Sequence, residues 1–106
     1  MTRIRLTGRQ GTLLGFEVSG HAGAGTEGND LVCAAISFLA TTAANALETV
    51  AGVKPRVSQQ EAYLKASIKP EQANQATDTI LAMFRQGALD LELAHPEHVT
   101  LIEDTN

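Results

Sequence analysis

Two residues able to carry out nucleophilic chemistry stand on either side of one glycine-rich stretch of this 106-residue chain. His21 lies at its start, and Cys33, the single cysteine, follows it. A thiolate is a strong nucleophile, and an imidazole readily takes up a proton near neutral pH. A cysteine and a histidine within hydrogen-bond reach need only an oxyanion site to attack a carbonyl group. The pair therefore predicts covalent acyl-transfer chemistry, provided that the fold brings the two side chains together.

Each residue also has an ordinary structural interpretation. A lone cysteine on a helix is usually a small buried hydrophobic side chain. A lone histidine in a glycine-rich loop is usually solvated, whatever its capacity to titrate near neutral pH. Their joint placement favours the chemical interpretation, because the two ends of one loop can meet.

The segment after the glycine-rich stretch predicts a helix that begins at Leu31, with Asp30 as its N-cap and Gly52 at its end. Cys33 would then lie in the first turn, where free backbone N–H groups and the helix dipole favour a thiolate and can hold an oxyanion. The negative charge of Asp30 would repel a thiolate nearby. A protonated His21 would offset that repulsion. No charged residue occurs between Leu31 and Leu47. We therefore expect the sheet, and also a second subunit, to cover this helix.

Other chemical residues give weaker signals. Ser37 lies one helical turn after Cys33, where its hydroxyl can serve the site or bond to its own helix. His95 and His98 flank Pro96 without ligand spacing, so we predict no metal site. The stretch from Gly20 to Gly28 predicts a mobile loop, and it lacks the lysine of a phosphate-binding loop.

The remaining pattern predicts the fold. Apolar and polar residues alternate in five segments, which is typical of strands with one buried face. A second helix is expected from Pro70, with its apolar stripe on Ile80, Met83 and Phe84. The acidic tail from Glu103 is expected to fray. We predict a single α+β domain over residues 1–106, with two helices on a mostly antiparallel five-stranded sheet in the order ββαββαβ. The predicted strands are 2–7, 12–19, 54–58, 62–68 and 99–102.

Composition limits the class of function. The chain is 43% hydrophobic and 19% charged, as folded proteins are, and its net charge is −4. An acidic chain without a basic stripe is a poor direct binder of nucleic acid. One cysteine cannot form an internal disulfide, which favours a reducing compartment. No charge-free apolar run reaches the ~20 residues of a membrane span, and the first ten residues lack the apolar core of a signal peptide. We expect a cytoplasmic location without membrane contact.

Several motifs resemble one known family, the ribosomal-processing cysteine proteases called Prp, also grouped as YsxB-like proteins. The resemblance is specific within residues 20–48, and the order of elements agrees over the whole chain. It rests on Gly20-His21-Ala22, Gly28, Asp30-Leu31-Val32-Cys33-Ala34-Ala35, Ser37 and Asn45-Ala46-Leu47-Glu48.

The resemblance implies a small α+β homodimer that works without a cofactor. Such proteins remove a short N-terminal extension from a protein of the large ribosomal subunit, cutting after a pair of aromatic residues. The catalytic histidine of the family falls on His21 and its nucleophile on Cys33. Supporting or substrate-binding positions fall on Gly20, Ala22, Gly28, Asp30 and Ser37.

One departure from the family pattern concerns the loop. The family often carries an aromatic and an acidic residue just after Gly-His-Ala, where this chain has Gly23, Ala24 and Gly25. Substrate contacts and cleavage specificity are therefore expected to differ. Two other functions remain open at this point: a non-catalytic ribosome-associated assembly factor, and a dimeric interaction module unrelated to ribosomes.

Overall fold

The structure, a computed structural model, describes residues 1–20 and 27–106, with only the backbone for residues 27–30. In chain order, two strands precede a long helix, and a second hairpin precedes a second helix and a last strand. The elements are β1 (Thr2–Arg9), β2 (Thr12–Ser19), α1 (Glu27–Thr49), β3 (Arg56–Gln60), β4 (Tyr63–Ser67), a 3-10 turn (Pro70–Gln72), α2 (Gln75–Ala94) and β5 (Val99–Thr105).

The strands of the described residues form one five-stranded sheet in the order β3-β4-β2-β1-β5. β1 pairs antiparallel with β2, β2 with β4, and β3 with β4. β5 pairs with β1 in parallel, with Ile4 opposite Leu101. The predicted α+β fold and its element order are confirmed, and the sheet is mixed because the chain crosses over through α2 before β5.

The core lies between the sheet and the two helices. Ile4, Leu6 and Phe16 are buried on the helix-facing side of the sheet. Phe84 of α2 stacks on Phe16, with ring centroids 4.0 Å apart. α2 contacts β2 and β5, while α1 packs beside α2. α1 therefore lies on the β3–β4 side of the helix layer.

The opposite side of the sheet is polar. Arg5 lies 3.9 Å from Glu17 and 3.8 Å from Asp104, and all three belong to strands. Because this face carries charged side chains, it is solvated, and the arrangement is a two-layer one.

The structure corrects five details of the sequence prediction. α1 begins at Glu27, so the prediction that Asp30 caps a helix starting at Leu31 is wrong. An acidic residue suits a helical first turn, and Glu27 extends the helix beyond the stronger cap signal. α2 begins after Asn74, whose side chain accepts a bond from the Thr77 N–H at 2.8 Å. Pro70 instead opens the separate 3-10 turn.

The other three corrections concern a turn, the tail and Met83. The second hairpin turns at residues 61 and 62, with Ala62 at φ 57°, a conformation that alanine rarely adopts and that no local signal indicates. The tail does not fray, because β5 runs to Thr105 alongside β1 and Glu103 bonds to Arg85. Met83 is exposed rather than buried, because Leu81 faces the core in its place.

One further property of α1 is its apolar character. By length and composition alone, Leu31–Thr49 could cross a membrane, a test that core helices also pass. Val32, Ile36 and Leu47 of this segment are buried in the core of the domain. On the side away from the core, Leu31 is 71% and Phe38 72% exposed. The part of the prediction in which the sheet layer covers one side of α1 is confirmed.

Candidate active site

Cys33 lies half-buried on α1, at the edge of the hydrophobic core. It opens onto a cleft of about 300 Å³ between α1 and the β3–β4 hairpin. Ser37 and Thr41 follow it on the same side of the helix and line the same cleft. Cys33 is thus neither deep in the core nor on the open surface, and it has the partial exposure that a reactive thiol needs.

The floor of the cleft comes from the end of β2. Gly20 lines the cleft together with Cys33, and its N–H donates a 3.0 Å hydrogen bond to the carbonyl oxygen of Ala62. Gly20 has φ 90°, and a β-carbon there would lie 2.6 Å from the main-chain oxygen of Met1. Only glycine fits this position without displacing backbone. The backbone conformation of Gly20, at the end of β2, is therefore set by this contact.

Residues 21–26, which include His21, Ala22, Gly23, Ala24 and Gly25, lie outside the described residues. The prediction that this loop is mobile therefore stays a prediction. The side chain of Asp30 also lies outside the described part, and Gly28 belongs to the backbone of α1. The structure thus places Cys33, Ser37 and Gly20 around one cleft. The predicted contact between His21 and Cys33 stays a prediction.

The start of α1 changes one chemical argument. With the helix beginning at Glu27, Cys33 lies in the second turn rather than the first, and that prediction is wrong. The free N–H groups of a helix belong to its first four residues, and the dipole effect falls off within the first turn. The expectation that such amides lie immediately beside the sulfur therefore loses its basis.

The walls of the cleft include residues that the sequence did not single out. Gln59, Gln60 and Tyr63 form the hairpin side, and Thr2 lies at the end near Gly20. Tyr63 donates a 2.7 Å hydrogen bond to Glu17, which raises the pKa of its phenol because the bond favours the protonated form. No sequence signal identified these residues, since only the pairing of β4 with β2 brings the hairpin to α1.

The described lining of the cleft carries no charged side chain. Its apolar part is formed by Val18, Ile36, Ala40 and Leu64, and hydroxyl and amide groups surround it. Such a surface suits a neutral peptide with apolar side chains. Among the described residues no group of His, Cys, Asp and Glu could hold a metal ion. His95 and His98 do not line the cleft, and His98 lies 3.6 Å from Glu97.

Comparison with solved structures places this arrangement among known proteins. SMU.848 from Streptococcus mutans is 31% identical and superimposes with a TM-score of 0.91, over 100% of this chain and 96% of that one. The essential ribosomal processing protease Prp from S. aureus, in complex with a substrate peptide, is 20% identical with a TM-score of 0.88, over 98% and 100%. The same protease with a covalently linked product peptide is also 20% identical and has a TM-score of 0.87, over 98% of this chain and 100% of that one.

No curated protein matches the chain. The family described as cysteine protease Prp matches it over residues 1–100. A half-buried thiol in a cleft whose described lining is uncharged can serve such an enzyme. The chain belongs to the cysteine protease Prp family, and the enzyme is a cysteine protease with a single cysteine.

Proposed function

We propose that this protein is an endopeptidase that removes the N-terminal extension of a large-subunit ribosomal protein, with Cys33 as nucleophile and His21 as base. The observation that carries the assignment of Cys33 is its position. It is the only cysteine in the chain, and it lines a cleft able to hold a peptide. The ribosomal substrate rests on the S. aureus relative, which is a ribosomal processing protease with this fold.

The assignment of His21 follows from where the histidines of the chain lie. Of the three, His95 and His98 lie away from the described cleft lining. His21 directly follows Gly20, which is fixed in the cleft by its bond to Ala62. The histidine that follows Gly20 in the chain is therefore our candidate for the base that a nucleophilic thiol needs.

The reaction proceeds in two steps. His21 takes the proton of the Cys33 thiol, and Sγ forms a bond to the scissile carbonyl carbon. The tetrahedral intermediate collapses as the C–N bond breaks, and His21 gives its proton to the leaving amine. Water, deprotonated by His21, then attacks the thioester, and the carboxylate product leaves with the thiol restored. Ser37 offers a hydroxyl donor in the cleft one turn from Cys33.

The apolar floor of the cleft supports cleavage beside aromatic residues, which bury large apolar surfaces. We place the enzyme in the cytoplasm, where a lone thiol stays reduced and ribosomal proteins are made. The acidic net charge favours a basic protein substrate over direct contact with nucleic acid. Leu31 and Phe38 on the exposed side of α1 support a homodimer, since large exposed apolar side chains usually mark an interface.

The test uses a ribosomal protein that carries its extension, incubated with wild type, Cys33→Ala and Cys33→Ser, with mass spectrometry of the products. Wild type should release the extension, and both variants should lose at least about 10³-fold in rate, as removal of a nucleophile does. Alkylation by iodoacetamide at neutral pH should label wild type rapidly and block cleavage. Trimming by Cys33→Ala at the wild-type rate refutes the role of Cys33. Tight binding by wild type without cleavage would favour the assembly-factor alternative.

A further inference from the structure

β3 forms one free edge of the sheet, directly beside the cleft. All five of its residues are exposed, and Arg56 is the only charged one. Gln59 and Gln60 line the cleft together with Cys33. An exposed edge of this kind offers a row of unpaired main-chain groups to any extended peptide.

The opposite edge of the sheet is protected. The N–H of Leu101 in β5, which points away from β1, donates a 2.8 Å hydrogen bond to the carboxylate of Glu92. Glu103, farther along β5, is held by two hydrogen bonds from Arg85, at 2.6 and 3.1 Å. Natural sheets blunt their edges with such charges and contacts. β3 carries one charged residue, Arg56, and none of its described side chains is held by an ion pair or a side-chain hydrogen bond. The contrast indicates that the β3 edge is kept open for a partner.

The register identifies the free groups on β3. Ile68 donates to Leu14, and Gly20 donates to Ala62, so the even-numbered residues of β4 bond towards β2. The odd-numbered residues of β4 therefore bond towards β3. Their partners are residues 56, 58 and 60, which leaves the N–H and C=O groups of Val57 and Gln59 pointing outwards.

The side chains of these two residues lie on the helix-facing side of the sheet. Val57 is opposite the buried Ala66, and Gln59 is opposite Leu64, which lines the cleft. A strand added beside β3 would place alternate side chains on the same side, against Ser37 and Thr41 of α1. The edge and the thiol therefore belong to one continuous groove.

We infer that the peptide substrate binds as an additional strand on the β3 edge, held by the outward main-chain groups of Val57 and Gln59. This inference rests on the proposed function. Addition of a strand gives affinity through main-chain bonds, and the side-chain pockets give specificity. Recognition of an extended main chain is what a protease requires, because a folded segment does not enter a cleft of this size.

A proline scan of the edge tests the inference. Gln59→Pro removes an outward N–H and leaves the bonds to β4 in place, a position where edge strands tolerate proline. Gln59→Ala is the matched control, since it removes the same side chain and keeps the N–H. Gln59→Pro should raise KM about 10-fold relative to Gln59→Ala, as the loss of one main-chain bond does, with little change in kcat.

A second test keeps the protein unchanged. Wild type is given substrate peptides in which single amides are replaced by esters, which removes one N–H at a time. Every second replacement on one side of the scissile bond should raise KM several-fold, because alternate N–H groups face a neighbouring strand. If wild type cleaves all the esters alike, the inference is refuted while the proposed function stands. Failure of wild type to cut the parent peptide refutes the proposed function itself. Dissociation of a dimer by Gln59→Pro, seen by sedimentation, would assign the edge to a second copy instead.

Discussion

Gly20 at the end of β2 and Cys33 on α1 line the same cleft, although a glycine-rich stretch separates them in the chain. The N–H of Gly20 is bonded to Ala62, so the residue preceding His21 is fixed to the β3–β4 turn. The end of β2 and the second turn of α1 thus meet at one cleft.

Gly20→Ala should destabilise the protein and lower its activity. The backbone has φ 90°, and the added β-carbon would lie 2.6 Å from the Met1 oxygen, so backbone must move. Gly11→Ala is the matched control, because Gly11 has φ 82° but nothing within 4 Å of its β-carbon. Urea denaturation should show a loss of about 1–2 kcal/mol for Gly11→Ala, from backbone strain alone, and a larger loss for Gly20→Ala. Equal losses in the free energy of unfolding would mean that the contact with Met1 does not contribute to the destabilisation.

Ser37→Ala should lower kcat without changing stability. The hydroxyl is exposed in the cleft, one turn from Cys33, so no buried contact is lost. A single hydrogen bond that forms in the transition state accounts for up to about 10²–10³ in kcat. Ser58→Ala, on β3, is the control for the loss of an exposed hydroxyl. If kcat is unchanged in both variants, Ser37 has no part in holding the oxyanion.

Thr2→Val should leave the protein at least as stable as wild type. Thr2 is 2% exposed, and its hydroxyl has no hydrogen-bond partner among the described residues. An unsatisfied buried polar group costs about 1–3 kcal/mol, and a methyl group of similar shape removes that cost. Thermal denaturation measures the effect. A fall in Tm of several degrees would show that the hydroxyl is bonded in the native state.

Phe38→Glu should convert the proposed homodimer to a monomer. Phe38 is 72% exposed on the side of α1 away from the core, so a charge there does not disturb the fold but opposes burial in an interface. Leu93→Glu is the control, since Leu93 is 84% exposed on α2. Sedimentation velocity should show a shift in mass for the first variant alone. A shift for the second alone would move the interface to α2.

The pair formed by Arg85 and Glu103 should make stability depend on pH in the acid range. The hydrogen bonds from Arg85 lower the pKa of Glu103 in the folded state. The folded protein therefore binds a proton less readily than the unfolded chain, and the stabilisation is complete above the ordinary pKa of about 4.3. It is lost as the pH falls through the lowered value.

Denaturation midpoints of wild type and Glu103→Gln, measured between pH 3 and 7, test this assignment. The variant should be less stable than wild type at neutral pH. Its denaturation midpoint should also fall less steeply as the pH is lowered. The effect should be small, because the two side chains are 42% and 38% exposed. Glu71→Gln, in the exposed 3-10 turn, is the control and should follow wild type. Parallel curves for all three proteins would exclude Glu103 as a source of the pH dependence.

The sequence alone determined the type of each main element, because alternation and helical spacing report which side of an element is buried. Ile4, Leu6 and Phe16, which belong to the first two alternating segments, are buried in the core. Residue type singled out Cys33. Helical spacing placed Ser37 beside it, because such spacing is local. These local patterns missed the start of α1 and the turn at Ala62, because caps and left-handed residues depend on the fold around them.

Only the tertiary structure decided what lies across from the thiol. The pairing of β4 with β2 brings Gln59, Gln60 and Tyr63 to α1, and no local pattern encodes a contact between segments so far apart in the chain. It also decided that β5 runs parallel to β1, which turns a tail expected to fray into a paired strand. Local sequence fixes the side of an element that is buried, whereas the neighbour it is buried against depends on how the whole chain packs.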